Sequence, residues 1–321
     1  MSAFYTSNRI KKSRFANNVI LNLALAVFII CGIILIKITL VDPRKNDTDM
    51  DAIQKLVYGE NIEKNNELES LEFRKKRVAG LTSINEAIKG WIKVNNTPID
   101  YPVMQNSSDA EFYLYRNYKK ENSRYGSIFV DSKCDLEKGC KNILLHGHSM
   151  NNGTMFRSLI ELTELDFYKT TPTFVYDMPG QIADWKIISV FRTNTLEEQG
   201  EIFEYLRPNF SSDEDFLNYV YQVKVRSLLN IPVDVNENDE LITLSTCSYE
   251  MKDFRTVIVA RKVRDGESTD VDVDKASWAN CPVLPEAYYS ACKSNKPVDV
   301  TNFKDALKKG KINWYSGTKF N

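Results

Sequence analysis

Leu244-Ser245-Thr246-Cys247 and Leu145-His146-Gly147-His148 hold the residue types of this 321-residue chain best suited to covalent chemistry. The first closes an apolar run from Leu241 and reads as a β-strand ending in a thiol. The second closes another run, Asn142-Ile143-Leu144-Leu145, and contains both histidines of the chain. A thiol works as a nucleophile when a base accepts its proton and a cation lies close by. Arg255 opens the strand-like run Phe254–Ala260, and a tight antiparallel turn sets the end of one strand beside the start of the next. Cys247 and Arg255 are therefore expected to be neighbours, with His148 supplying the acid/base group. A lone cysteine at a strand end is most often a small buried hydrophobe, and a lone arginine a surface ion-pair partner, so the argument rests on the three together. His146 and His148 alternate across Gly147 and can face one side of a strand; His146 reads as a packed neighbour.

The elements that must position these residues are mostly strands. Candidates are Trp91–Val94, Tyr101–Val103, Ser127–Val130, Ile143–His146, Thr173–Tyr176, Ala183–Phe191, Leu241–Cys247 and Thr256–Val263, with Met178-Pro179-Gly180 as a turn between the fifth and sixth. Ser83-Ile84-Asn85-Glu86 has the pattern of a capping box and predicts a short helix leading into Gly90-Trp91. Ser212-Asp213-Glu214-Asp215 predicts a helix between strands 6 and 7, with Phe216, Val220, Val223 and Leu228 near one face. Many short strands with few helices point to a mainly β chain folded as a closed or nearly closed barrel of about eight strands, with added helices.

Outside that region the composition changes. Val19–Ile36 holds no charge and is preceded by Arg9, Lys11, Lys12 and Arg14. It predicts one uncleaved transmembrane anchor over 19–41, with the leader 1–18 cytoplasmic and the rest extracellular. Residues 42–79 are polar and charged, with Leu68, Leu71 and Phe73 among charges, and read as a helical stalk, a solvated spacer. The catalytic domain is expected over 80–264. Asp265–Asp270 looks like a linker, and the extension 265–321 is rich enough in aromatics to pack onto the barrel. A net charge of −1 argues against a dedicated nucleic-acid binder, and no Gly-rich phosphate loop is found. Of six cysteines, Cys31 falls in the anchor; Cys134 with Cys140, and Cys281 with Cys292, are two local pairs, as disulfides or as free thiols. Their spacing suits zinc poorly.

Thr243-Leu244-Ser245-Thr246-Cys247 resembles the TLxTC signature of sortases, the membrane-anchored cysteine transpeptidases of Gram-positive bacteria. Gly90-Trp91-Ile92-Lys93-Val94, Ile99-Asp100-Tyr101-Pro102-Val103, Gly126-Ser127-Ile128-Phe129-Val130-Asp131 and Gly147-His148-Ser149-Met150 followed by Gly153-Thr154-Met155-Phe156 are similar to class B sortases in particular. So is the helix between strands 6 and 7. The resemblance covers roughly residues 80–264 and implies a sortase-type barrel.

It also implies a reaction: Cys247 attacks a threonine carbonyl in a C-terminal sorting signal, His148 exchanges protons, and Arg255 steadies the oxyanion. The implied donor is a surface protein with an NPxT-like or PxTG-like signal. The implied acceptor is an amine of a peptidoglycan precursor or of a pilin lysine. The family's catalytic histidine follows the glycine, which selects His148. Ser245, Leu114, Tyr205 and Leu206 are the implied signal contacts, although Leu114 and Leu206 also suit ordinary core. No metal and no cofactor is called for. Tyr249 stands where some relatives place an acid, so a carboxylate there is not expected to be obligatory. Two alternatives stay open on the residues alone: a cysteine endopeptidase with water as acceptor, and a non-enzymatic membrane-anchored surface protein.

Overall fold

The computed structural model describes residues 2–59, 70–292, 296–297 and 300–320, with side chains from residue 17 onward. Leu68 of the expected stalk and the side chains of the basic leader lie outside the described residues. The chain divides into two units, Met1–Ile53 and Gln54–Asn321.

The first unit is helical. α1 (Ser2–Ile36), a π-helical turn (Lys37–Val41) and α2 (Asp42–Tyr58) follow one another directly. Asn17–Tyr58 is, among the described residues, the one helix long and apolar enough to cross a membrane.

The second unit is built on a closed barrel of eight strands. In chain order these are β1 (Ile88–Lys93), β2 (Asp100–Met104), β3 (Ile128–Val130), β4 (Asn142–His146), β5 (Thr173–Asp177), β6 (Asp184–Thr193), β7 (Leu241–Ser248) and β8 (Phe254–Lys262). Around the barrel the order is β1-β2-β3-β4-β7-β8-β6-β5, and β5 returns to β1. The β2–β3 and β4–β7 pairs are parallel. All eight expected strands are present with small shifts at their ends. Leu145, Leu244, Ile258 and Val190 lie side by side across four adjacent strands, and all four are fully buried. Such a side chain contributes about 1.5–3 kcal/mol when withdrawn from water. The alternate row on β7, Thr243, Ser245 and Cys247, faces the other way, so period-two alternation aims the nucleophile.

Two expectations need correcting. The Ser83–Glu86 pattern predicts a helix start, but α4 (Leu81–Ile84) is already ending there. Ser83 sits inside it with Oγ donating to the Gly80 carbonyl at 2.6 Å, and Asn85 is extended. β1 begins at Ile88, which leaves no room for a helix after Ser83. The end of the expected stalk is likewise no solvated spacer. α3 (Leu71–Ala79) buries Arg74, Arg77 and Val78. Arg74 grips Asp177 with two N–H groups at 3.0 and 2.7 Å, and Arg77 reaches the same carboxylate at 2.6 Å. Asp177 at the end of β5 is fully buried, so the two guanidiniums supply the partners that its charge requires.

α5 (Leu165–Thr170) precedes β5, and α6 (Asp213–Arg226) lies between β6 and β7 as expected. Ser212 caps α6 by accepting from the Asp215 N–H at 3.2 Å. Phe216, Val220 and Val223 are buried, whereas Leu228 lies past the helix end. The C-terminal segment adds α7 (Glu286–Cys292) and α8 (Phe303–Lys308). Its α8 docks on α6, and Ser277–Trp278 pairs with Leu229–Asn230. Phe303 is fully buried and its N–H donates to Asn218 Oδ1 at 2.8 Å, while the Lys224 ammonium sits over the Trp314 ring. Trp278 is the exception and stays half exposed. The stretch read as a linker is pinned down: Glu267 accepts from Arg261 and from Lys186 Nζ at 2.6 Å. Arg261 first, then Lys186, hold that carboxyl well below the usual range, against the opposing effect of burial. All six cysteines are free thiols; Cys134 Sγ accepts from the Leu144 N–H at 3.3 Å.

Candidate active site

The β7–β8 hairpin sets the first two candidate residues side by side. Cys247 and Arg255 are directly opposed Cα partners, followed inward by Thr246 with Thr256 and Ser245 with Val257. Both side chains are half-buried at the barrel mouth. Asp253, in the connecting turn, adopts a left-handed conformation (φ 57°), and its carbonyl accepts from Arg255 Nη1 at 3.1 Å. The Phe254 carbonyl accepts from the same nitrogen at 3.1 Å.

The parallel strand β4 brings the third. His146 lies in register with Ser245, and the chain stays attached to β7 for one residue more. The Gly147 N–H donates to the Ser245 carbonyl at 3.3 Å, and Thr246 Oγ1 donates to the Gly147 carbonyl at 2.8 Å. His148 thus follows on the edge next to Cys247. Gly147 is required by space. A Cβ there would come within 2.4 Å of Ile128 Cδ1 and 2.8 Å of the Phe156 ring. His148 Nε2 bonds the Leu114 carbonyl at 2.7 Å, which fixes the ring and leaves Nδ1 for chemistry. Burial pulls the imidazole below its ordinary pKa, with the Leu114 carbonyl opposing. The Tyr115 ring stands beside it, centroids 5.6 Å apart.

The other expected contacts divide. Tyr205 and Ser245 meet, hydroxyl to hydroxyl at 2.9 Å, and both are buried. Burial raises the Tyr205 phenol, with the Ser245 bond opposing. Leu114 and Leu206 are half-buried. Leu114 acts on the site through its backbone carbonyl, which no side-chain motif reveals. On the level of Ser245, the more accessible polar group is His146. Its Nε2 meets Asp131 Oδ2 at 2.9 Å, with side chains 23% and 13% exposed. Burial raises the Asp131 carboxyl, but the His146 bond and the Lys133 N–H together bring it below its usual value. Tyr249, at the position discussed for an acid, donates its hydroxyl to the Ser149 carbonyl at 2.6 Å and latches the hairpin turn to the residue after His148. Nothing in the sequence pattern signals that link.

A thiol, an imidazole with a free ring nitrogen and a guanidinium thus share one mouth of the barrel. That set can carry out acyl transfer through a thioester. The Sortase domain family model matches residues 92–263. Sortase B of Listeria monocytogenes is 37% identical over 174 residues, covering 54% of this chain and 68% of the relative. Sortase B of Staphylococcus aureus is 31% identical over 186 residues, covering 57% and 73%. Among solved structures, sortase B from Bacillus anthracis in complex with AAEK1 superposes with a TM-score of 0.59 at 31% identity, covering 70% of this chain and 99% of that one. A Staphylococcus aureus sortase B–substrate complex gives 0.58 at 26% identity, with the same coverage. The chain belongs to the sortase family, and within it to the class B sortases, cysteine transpeptidases built on this barrel.

Proposed function

We propose that Cys247, His148 and Arg255 carry out the transpeptidation, cleaving a sorting signal after a threonine and passing the acyl group to an amine. In the first half-reaction the Cys247 proton moves to the His148 imidazole as Sγ attacks the threonine carbonyl. A tetrahedral oxyanion forms, and the Arg255 guanidinium donates to it. Collapse breaks the C–N bond, the imidazolium gives its proton to the departing amine, and a thioester remains on Cys247. In the second half an acceptor amine attacks the thioester carbon. His148, again neutral, takes the amine proton and returns it to the leaving thiolate. The lowered imidazole pKa suits this use, because the ring rests in the neutral form that accepts a proton.

The donor is a surface protein ending in an NPxT-like or PxTG-like signal. The acceptor is a peptidoglycan-precursor or pilin-lysine amine. Tyr205, Leu206, Leu114 and Ser245 line the donor's path. The N-terminal helix anchors the enzyme, with the leader cytoplasmic and the catalytic unit outside, a reading supported by the basic residues that precede the apolar run. The observation that carries the proposal is the cross-strand pairing of Cys247 with Arg255, with the His148 segment strapped alongside through Gly147 and Thr246. Incubating the catalytic unit with peptides of both signal types, with and without an added amine, tests it. Cleavage after threonine with an amine-linked product is expected. Hydrolysis alone at saturating amine would make the protein a peptidase.

A further inference from the structure

The family match ends at residue 263, yet the segment beyond it touches the elements that hold the proposed catalytic arginine. Gly200 sits in the loop after β6 with φ 116°. A Cβ built there would lie 2.4 Å from Glu286 Cβ and 3.1 Å from the Glu286 nitrogen, so the start of α7 is packed directly on this loop. The loop is internally stapled: buried Asn194 donates from Nδ2 to the carbonyls of Leu196 at 3.0 Å and Gly200 at 2.9 Å. The same loop grips the β7–β8 turn. Gln199 Nε2 donates to the Lys252 carbonyl at 2.8 Å, and Thr195 Oγ1 donates to the Asp253 carbonyl at 2.8 Å. That Asp253 oxygen is also the one that Arg255 Nη1 uses at 3.1 Å. One carbonyl is therefore shared between the loop and the arginine.

α7 itself is held by Tyr289, which is buried. Its hydroxyl donates to the Pro282 carbonyl at 3.0 Å and accepts from the Leu284 N–H at 2.8 Å. The adjoining segment is tied to the end of α6, with the Val283 N–H donating to the Val225 carbonyl at 2.8 Å. From that end of α6 the Arg226 guanidinium covers Phe203, 4.0 Å from the ring centroid, and Phe203 packs on Phe191, which packs on Tyr205. Both routes out of the extension end at the proposed site.

We propose that the C-terminal extension is a positioning element for transpeptidation: α7, through Gly200 and the 194–200 loop, fixes the Asp253 carbonyl and with it the resting place and aim of Arg255. Tyr289, Thr195 and Gln199 are positioning residues, none of them touching substrate. This rests on the assignment of Arg255 to the reaction. Misplacing a catalytic group by about 1 Å costs up to about 10²-fold in rate, so a propped arginine is worth a dedicated segment.

The test uses the full chain and five variants: Tyr289→Ala, Tyr289→Phe, Thr195→Val, the Tyr289→Ala/Thr195→Val double variant, and Trp314→Ala at the far end of the extension. Single-turnover acylation by a signal peptide and the melting temperature are read on each. Tyr289→Ala and Thr195→Val are each expected to slow acylation by about 10-fold or more with KM little changed. Their effects should fail to multiply in the double variant, because both cut one linkage. Trp314→Ala should lower the melting temperature and leave acylation intact. Tyr289→Phe, which keeps the ring and loses the hydroxyl bonds, should fall between wild type and Tyr289→Ala. Rates that track melting temperature alike in Tyr289→Ala and Trp314→Ala, or fully multiplicative effects in the double variant, would overturn the proposal. Arg255→Lys measured in parallel separates the two claims. If that variant is active, the assignment of Arg255 fails. If it is inactive while Tyr289→Ala is unimpaired, only the role of the extension fails.

Discussion

At the scale of single residues, the account turns on which nitrogen and which guanidinium do the work. Arg255→Lys keeps the charge and loses the planar fork, so the expected fall in turnover is about 10²–10³-fold, the usual cost of an oxyanion donor. Steady-state kinetics near wild type would reduce Arg255 to a generic cation. The two histidines should separate cleanly: His148→Ala nearly inactive, His146→Ala retaining most activity, since only His148 follows Gly147 onto the edge beside Cys247. Burial places the His148 imidazole below its ordinary value of about 6.5. As pH falls through about 6.5, the unfolded chain therefore takes up its proton before the folded one. The group's contribution to stability is complete above that pH and is lost below it, down through the folded pKa. The imidazole resonance that disappears in His148→Gln should titrate below about 6.5, and the same substitution should flatten the melting curve against pH on the acid side. A resonance titrating above that value would contradict the buried, neutral imidazole. Cys247, His148 and Arg255 were legible as residue types with a plausible spacing. The Leu114 carbonyl on His148 and the Asp253 carbonyl under Arg255 were not, because a backbone oxygen leaves no trace in the side-chain sequence.

At the scale of elements, the hairpin and the parallel β4–β7 pair position the site, and each has a weak point that can be probed. Gly147→Ala drives a methyl into Ile128 and Phe156. Overpacking of this kind costs about 1–3 kcal/mol, and here the displaced backbone carries His148. Thermal melts and turnover should therefore fall together, and an active, fully stable Gly147→Ala would mean that the strap between β4 and β7 does not govern His148. On the far side of the barrel, Asp177→Asn removes the buried carboxylate charge that Arg74 and Arg77 share, although Arg74 keeps Asp184, and should destabilise by about 3–5 kcal/mol in denaturant unfolding, without changing the site. The eight strands could be read from alternation and turn residues, and α6 from its Ser212 cap and acidic first turn. The supposed capping box at Ser83 misled because local cap chemistry was outweighed by burial of Leu81 and by the early start of β1. The stalk misled in a similar way: Arg74 and Arg77 look like solvated charges until Asp177, a hundred residues on, is folded against them.

At the scale of the whole molecule, the chain combines a long apolar helix, a sortase barrel and a C-terminal extension. The barrel and its chemistry were legible because several ordered motifs agree. The docking of the extension on α6 and on the loop after β6 was not, because aromatic content announces burial without naming the surface that provides it. The central claim is that Cys247 forms a thioester which an amine then resolves. Mass spectrometry of the protein quenched during turnover of a signal peptide measures this most directly. The account predicts a mass increase equal to the N-terminal peptide fragment, localised to the proteolytic fragment that contains Cys247, absent from Cys247→Ala, and discharged to an amine-linked product when the acceptor is added. Amine-linked product formed at an undiminished rate by a folded Cys247→Ala protein, or an adduct carried on any other residue, would contradict it.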